Sequence, residues 1–119
     1  MKVKTRALTG RVLDFVVATI QFKANDDETN ARLVTKGDPL GGVYRPTEND
    51  AQAMAIIDQA DIATWPDQES TQWFASVDGG RGEDCQGDTS DIAAMRSYVA
   101  SQKGEEVEIS DDILAILQG

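Results

Sequence analysis

A glycine-rich, acidic stretch that also holds a thiol lies between Asp78 and Thr89. Gly82-Glu-Asp-Cys-Gln-Gly-Asp-Thr89 has the spacing of a phosphate-binding loop, but Asp88 stands where the phosphate-binding lysine belongs. Glu83 and Asp84 add further negative charge, so backbone amides here cannot hold a phosphate that these carboxylates repel. Asp78, Glu83, Asp84 and Asp88 are the right chemical type for a divalent cation. Their spacing lacks the alternating ligands and distal glutamate of a calcium loop, so a solvated acidic loop is expected and no metal ligand is assigned. Cys85 is the one cysteine. It has no histidine to activate it, and neighbouring carboxylates raise a thiol pKa, so it is expected to be incidental.

Paired carboxylates occur at Asp26/Asp27, Glu105/Glu106 and Asp111/Asp112. Adjacent acids in a turn or at a helix start serve solubility or capping, whereas hydrolysis needs carboxylates facing each other across a cleft. The chain holds no histidine, the usual near-neutral acid–base group and the commonest metal ligand. No catalytic, cofactor-binding or metal residue is therefore assigned, and no cofactor is expected.

Tyr44, Trp65 and Trp73, with Phe74, are the candidates for an interaction surface, because interfaces enrich aromatics. Cores enrich them too, and either Trp73 or Phe74 must point inward if that stretch is a packed strand. Two charged residues interrupt apolar helical stripes, Asp14 and Arg96. Each has a solvated reading: Asp14 pairs with Arg11, and the Arg96 stem covers the core edge while its head reaches water. The alternative is an ion pair between Asp14 and Arg96 that fixes how two helices dock.

Local patterning supplies the elements that would carry these groups. Residues 87–109 are the most strongly specified. Thr89 or Ser90 is a natural N-cap, Ile92, Met95 and Val99 form a helical stripe, and Gly104 is a glycine stop. Val107 and Ile109 then alternate with glutamates as a short strand. Residues 2–6 suggest a first strand, and Thr9 caps a helix to about Phe22 that is apolar nearly all round, through Leu13, Val16, Val17 and Ile20. Such a helix is central, or one face of a homo-oligomer. Residues 25–30 read as a polar turn, 31–35 as a strand and 37–42 as a loop. Thr47 with Asp50 suggests a capping box, opening a helix with Ala53, Ile56, Ile57 and Ala60 on one face and ending near Asp61 or Ile62. Residues 66–70 form a loop, 71–77 are rich in strand formers, and Ser110 caps a last helix with Ile113, Leu114, Ile116 and Leu117 inward.

These elements add up to an α+β fold, a single domain over 1–119 with three to four helices on a small, mostly antiparallel sheet of short strands. Hydrophobic residues make up 40%, enough for a core. The formal net charge of −10 opposes direct binding to nucleic acid or anionic lipid and permits a basic protein partner. Lys2, Lys4 and Arg6 ahead of an apolar run superficially suggest a secretory signal, but Arg11 and Asp14 break that run. A cytoplasmic protein that does not enter the membrane is the expectation.

Ala93-Ala-Met-Arg-Ser-Tyr-Val-Ala-Ser101 and Gly104-Glu-Glu-Val-Glu-Ile109 resemble the C-terminal signature of the phage NinX-like proteins. Met1-Lys-Val-Lys-Thr5, Leu8-Thr-Gly10 and Leu13-Asp-Phe-Val-Val-Ala18 resemble that family's opening, and Tyr44-Arg-Pro-Thr47 and Trp73-Phe-Ala75 its central blocks. The chain departs from the family pattern at Glu48-Asn-Asp-Ala-Gln-Ala-Met-Ala55, where a glycine-rich, tryptophan-containing segment is usual. The resemblance implies a phage or prophage origin, hence the cytoplasm of a host bacterium, and assigns no activity. The leading expectation is a non-enzymatic accessory protein that binds a host or phage protein. The alternatives are an acidic DNA mimic that occupies a nucleic-acid-binding protein, and a carboxylate- or Mg2+-dependent enzyme.

Overall fold

Residues 1–118 are described by the computed structural model. The chain runs β1 (Lys2–Lys4), a 3-10 turn (Thr5–Ala7), α1 (Gly10–Gln21), α2 (Asp27–Thr35), α3 (Asp50–Ala60), β2 (Ala63–Pro66) and β3 (Trp73–Ser76). A second 3-10 turn (Asp78–Gly80), β4 (Cys85–Gly87), α4 (Ser90–Lys103), β5 (Glu106–Glu108) and α5 (Asp111–Gln118) follow. The class is α+β, with five helices among the described residues. The strands form two antiparallel sheets rather than one, β1–β5 and β2–β3–β4.

Helix α4 is the hub, touching α1, α3, β2, β3, β4 and β5. Met95 and Val99 are fully buried, as are Leu13 and Val17 of α1, Val34 of α2, and Leu117 of α5 is nearly so. Burial of each such side chain contributes about 1.5–3 kcal/mol. Because α1 is covered within the chain at Leu13 through Ala18, its apolar character needs no second copy to explain it.

Four helix starts follow local chemistry. Thr89 accepts from the Ile92 amide, Ser110 from the Ile113 amide, Asn49 from the Gln52 amide, and Asp26 from the Thr29 amide at 2.7 Å. The cap of α3 is thus Asn49 and not Thr47, whose side chain is engaged elsewhere. Residues 25–35 differ most from expectation: the polar turn and the strand over 31–35 are replaced by α2. Its Asp26 cap, acidic first turn and Glu28–Arg32 pair make a helix of it, with Ala31 and Val34 inward.

Two glycines are required where they stand. Gly104 closes α4 with φ +84°. Gly87 lies so close to α4 that a Cβ would fall 2.5 Å from the Ala93 nitrogen, which lets β4 rest directly on the first turn of that helix.

Candidate interaction surface

Strand alternation sorts the aromatic residues onto two faces. On β3, Ala75 is fully buried and Trp73 packs against the core, so the intervening Phe74 projects from the opposite face. The β2–β3 register sets Trp65 directly across from Phe74. Their rings stack at 5.9 Å and 20°. Both are partly exposed, and neither is among the side chains packed on the core.

The backbone beside this pair is open. The Asp67 amide donates to the Gln72 carbonyl at 2.9 Å, which fixes the hydrogen-bonding phase of the β2–β3 hairpin. Residues 63 and 65 then bond β3, while Thr64 and Pro66 face away from it. Proline at an outward position is what an edge strand tolerates. Thr64 has no partner for its N–H or C=O among the described residues beyond β3. At the other edge of this sheet the Gln86 carbonyl of β4 accepts from Arg96 Nη1 at 2.8 Å.

Charge is uneven along this part of the sequence. Residues 46–80 contain seven carboxylates (Glu48, Asp50, Asp58, Asp61, Asp67, Glu69 and Asp78) and no lysine or arginine. That segment, α3 with the β2–β3 hairpin, carries most of the net charge of −10.

The remaining candidates are built into the interior. Tyr44 packs on the core and meets Phe22 edge-to-face at 5.1 Å, and burial pushes its hydroxyl up to about 12. Asp14 and Arg96 do not meet. Asp14 accepts from the Thr47 amide and hydroxyl, both at 2.9 Å, while Arg96 donates from Nε to the Leu8 carbonyl at 2.7 Å and from Nη1 to Gln86. The alternative ion pair is therefore not made, nor is Asp14 a solvated partner of Arg11, which donates to the Leu117 carbonyl instead. There are two separate clamps, with Asp14 holding the lead-in to α3 against α1 and Arg96 tying α4 to β4 and to the start of α1. Thr47, 7% exposed, was hidden from sequence reasoning because a threonine before a helix resembles a cap.

In the acidic loop, Cys85 is a buried strand residue whose thiol is pushed up by burial. Asp88 is held by Gln72, and Glu83 pairs with Arg6 at 3.3 Å across a cleft of about 470 Å³ lined also by Lys4, Thr5 and Glu105. A second carboxylate relationship went unread in the sequence. Asp91, in the first turn of α4, meets Asp50, the first residue of α3, and burial followed by that carboxyl neighbour pushes Asp91 up to about 6. Leu40, at the tip of the 37–42 loop, is fully exposed.

Residues 4–102 match the family described as Bacteriophage P22, NinX. The chain belongs to the NinX family. No curated protein matches it. The match spans α1 through all but the last residue of α4, so the β2–β3 hairpin and the α4 hub of this NinX-family chain both lie inside it. No helix among the described residues is long and apolar enough to cross a membrane.

Proposed function

We propose that this chain is a non-enzymatic phage accessory protein of the host cytoplasm that works by docking a host or phage protein on the outer face of the β2–β3 hairpin. The observation that supports this reading is the Trp65–Phe74 stack, two large rings left off the core at the middle of a segment with no cation. Aromatics with a polar rim are what protein interfaces enrich. A photo-crosslinking residue at Gln68 beside the hairpin is expected to trap a partner in cells carrying the phage, and one at exposed Ala115 of α5 is not. Crosslinks at neither site, or only at 115, overturn the reading.

A second reading, occupation of a nucleic-acid-binding protein in place of DNA, is favoured by the charge segregation over residues 46–80. It predicts a captured protein whose binding site for DNA is blocked, with affinity falling steeply as salt rises.

A further inference from the structure

We propose that the open edge of β2 is a strand-addition site for an extended protein segment in which arginine or lysine alternates with apolar residues. This rests on the protein-binding reading above and specifies the chemistry of the partner. An unpaired strand edge offers backbone hydrogen bonds to a chain that adds to it, and alternate side chains then supply specificity.

Three independent observations converge on this edge. The hairpin phase points the Thr64 N–H and C=O outward, and they meet no other backbone. At the opposite edge of the same sheet Arg96 already occupies the Gln86 carbonyl, so the β2 edge is the freer of the two for strand addition. Trp65, on the edge strand itself, stacks with Phe74 to make a flat aromatic platform beside the added strand. A guanidinium lies well on such a face, and the carboxylates of Asp61, Asp67 and Glu69 surround the strand ends with negative charge.

Charge also chooses among occupants. A second copy of this chain would bring the same carboxylates against themselves, which is how natural edge strands avoid pairing with each other. Nucleic acid carries the same sign as the hairpin. A basic extended segment satisfies the free backbone, the aromatic platform and the charge together.

The test is selection of a displayed library of random peptides, each about a dozen residues long, on the full chain. Enriched peptides are expected to carry arginine or lysine at alternate positions and to perturb the Thr64 and Trp65 amides in NMR spectra. Affinity is expected to fall about tenfold or more on Thr64→Pro, which removes the outward N–H, and on Trp65→Ala, which removes half the platform. Thr64→Pro is interpreted only if its circular dichroism matches the parent, and Trp65→Ala tests the site whether or not that variant folds. Peptides that bind both variants as tightly as the parent, that are acidic, or that perturb another face overturn the strand-addition site while leaving the protein-binding reading standing. Failure to enrich any peptide overturns it too, and crosslinking at Gln68 then decides the broader reading on its own. Dimerisation through residues 63–66 in light scattering and NMR also counts against it.

Discussion

Asp14 and Thr47, 33 residues apart, are joined by two hydrogen bonds of 2.9 Å, one from the Thr47 amide and one from its hydroxyl. Both residues are buried, Asp14 at 1% exposure. The carboxylate serves as a distant cap for a segment that has no regular structure of its own, and it anchors Pro46 and Thr47 against α1.

Removing that acceptor orphans a buried amide. Asp14→Ala is expected to lower stability by about 2–4 kcal/mol, from the lost bonds and the cavity together. Asp14→Asn keeps one acceptor oxygen and nearly the same volume, so its loss is expected to be below about 1.5 kcal/mol. Urea unfolding of the two variants checks both; equal losses would show that the charge, and not the bond to the Thr47 amide, is what matters.

Two carboxyl groups make stability depend on pH in an unusual direction. Asp14 is raised from 3.8 to about 6, by burial that outweighs its bonds to Thr47, and Asp91 is raised to about 6 by burial and its Asp50 neighbour. A raised carboxyl binds its proton more tightly folded than unfolded. Stability contributed by these groups is therefore full below about pH 4 and is lost as pH climbs through about 6. Asp26 and Asp67 are lowered by their hydrogen bonds to Thr29 and to Glu69 and Ser70, and they withdraw stability as pH falls below about 4. Melting temperature is expected to peak between about pH 4 and 5 and to decline toward pH 7. Asp14→Asn is expected to remove part of that decline, at most about 3 kcal/mol. A flat profile from pH 4 to 7 in the parent chain would refute the burial of both groups.

Arg96 joins three parts of the fold through two carbonyls. Arg96→Met keeps the aliphatic stem but leaves the Leu8 and Gln86 carbonyls without their donor, and a loss of about 1–3 kcal/mol is expected. Hydrogen exchange should quicken in β4 and at the start of α1 in the same variant. Because Asp14 bonds elsewhere, the effects of Asp14→Asn and Arg96→Met are expected to add within about 0.5 kcal/mol.

The two tryptophans should behave oppositely. Trp73→Ala opens a gap against the core and is expected to cost about 3 kcal/mol or more. Trp65→Ala is expected to cost about 1 kcal/mol, from its stack with Phe74, while affecting partner capture far more. Thermal melts of the pair separate the two faces of the hairpin.

The elements with a strong apolar pattern were legible in the sequence: α1, α3, α4 and α5, with β3 and β5, appear within a few residues of their expected ranges, although Thr9 precedes α1 without a side-chain cap bond. Helix α2 was also written locally, in Asp26, Asp27, Glu28 and Arg32, but Leu33-Val34-Thr35 is β-branched enough to mimic a strand in so short a run. Strands β2 and β4 have no local signature: Pro66 breaks one and Gly87 the other, and pairing with β3 alone makes them strands. The same dependence hid the site. Trp65, Trp73 and Phe74 were visible as aromatics, yet which of them faces out is set by the register between β2 and β3. The partners of Asp14 and Arg96 were illegible for a related reason, since both are backbone groups or a lone hydroxyl, which carry no charge pattern to follow.

The pairing of β1 with β5, with Val3 across from Val107, has a consequence for how the molecule is made. A ribosome must synthesise the chain as far as β5 before the first strand has its partner, and α1, which α2 covers early, waits for α4 and α5 to complete its cover. Contacts so distant along the chain close slowly, and the emerging N-terminal half must keep Leu13, Val16 and Val17 out of unwanted associations meanwhile. Productive pairing of β1 is thus postponed until β5 has been synthesised.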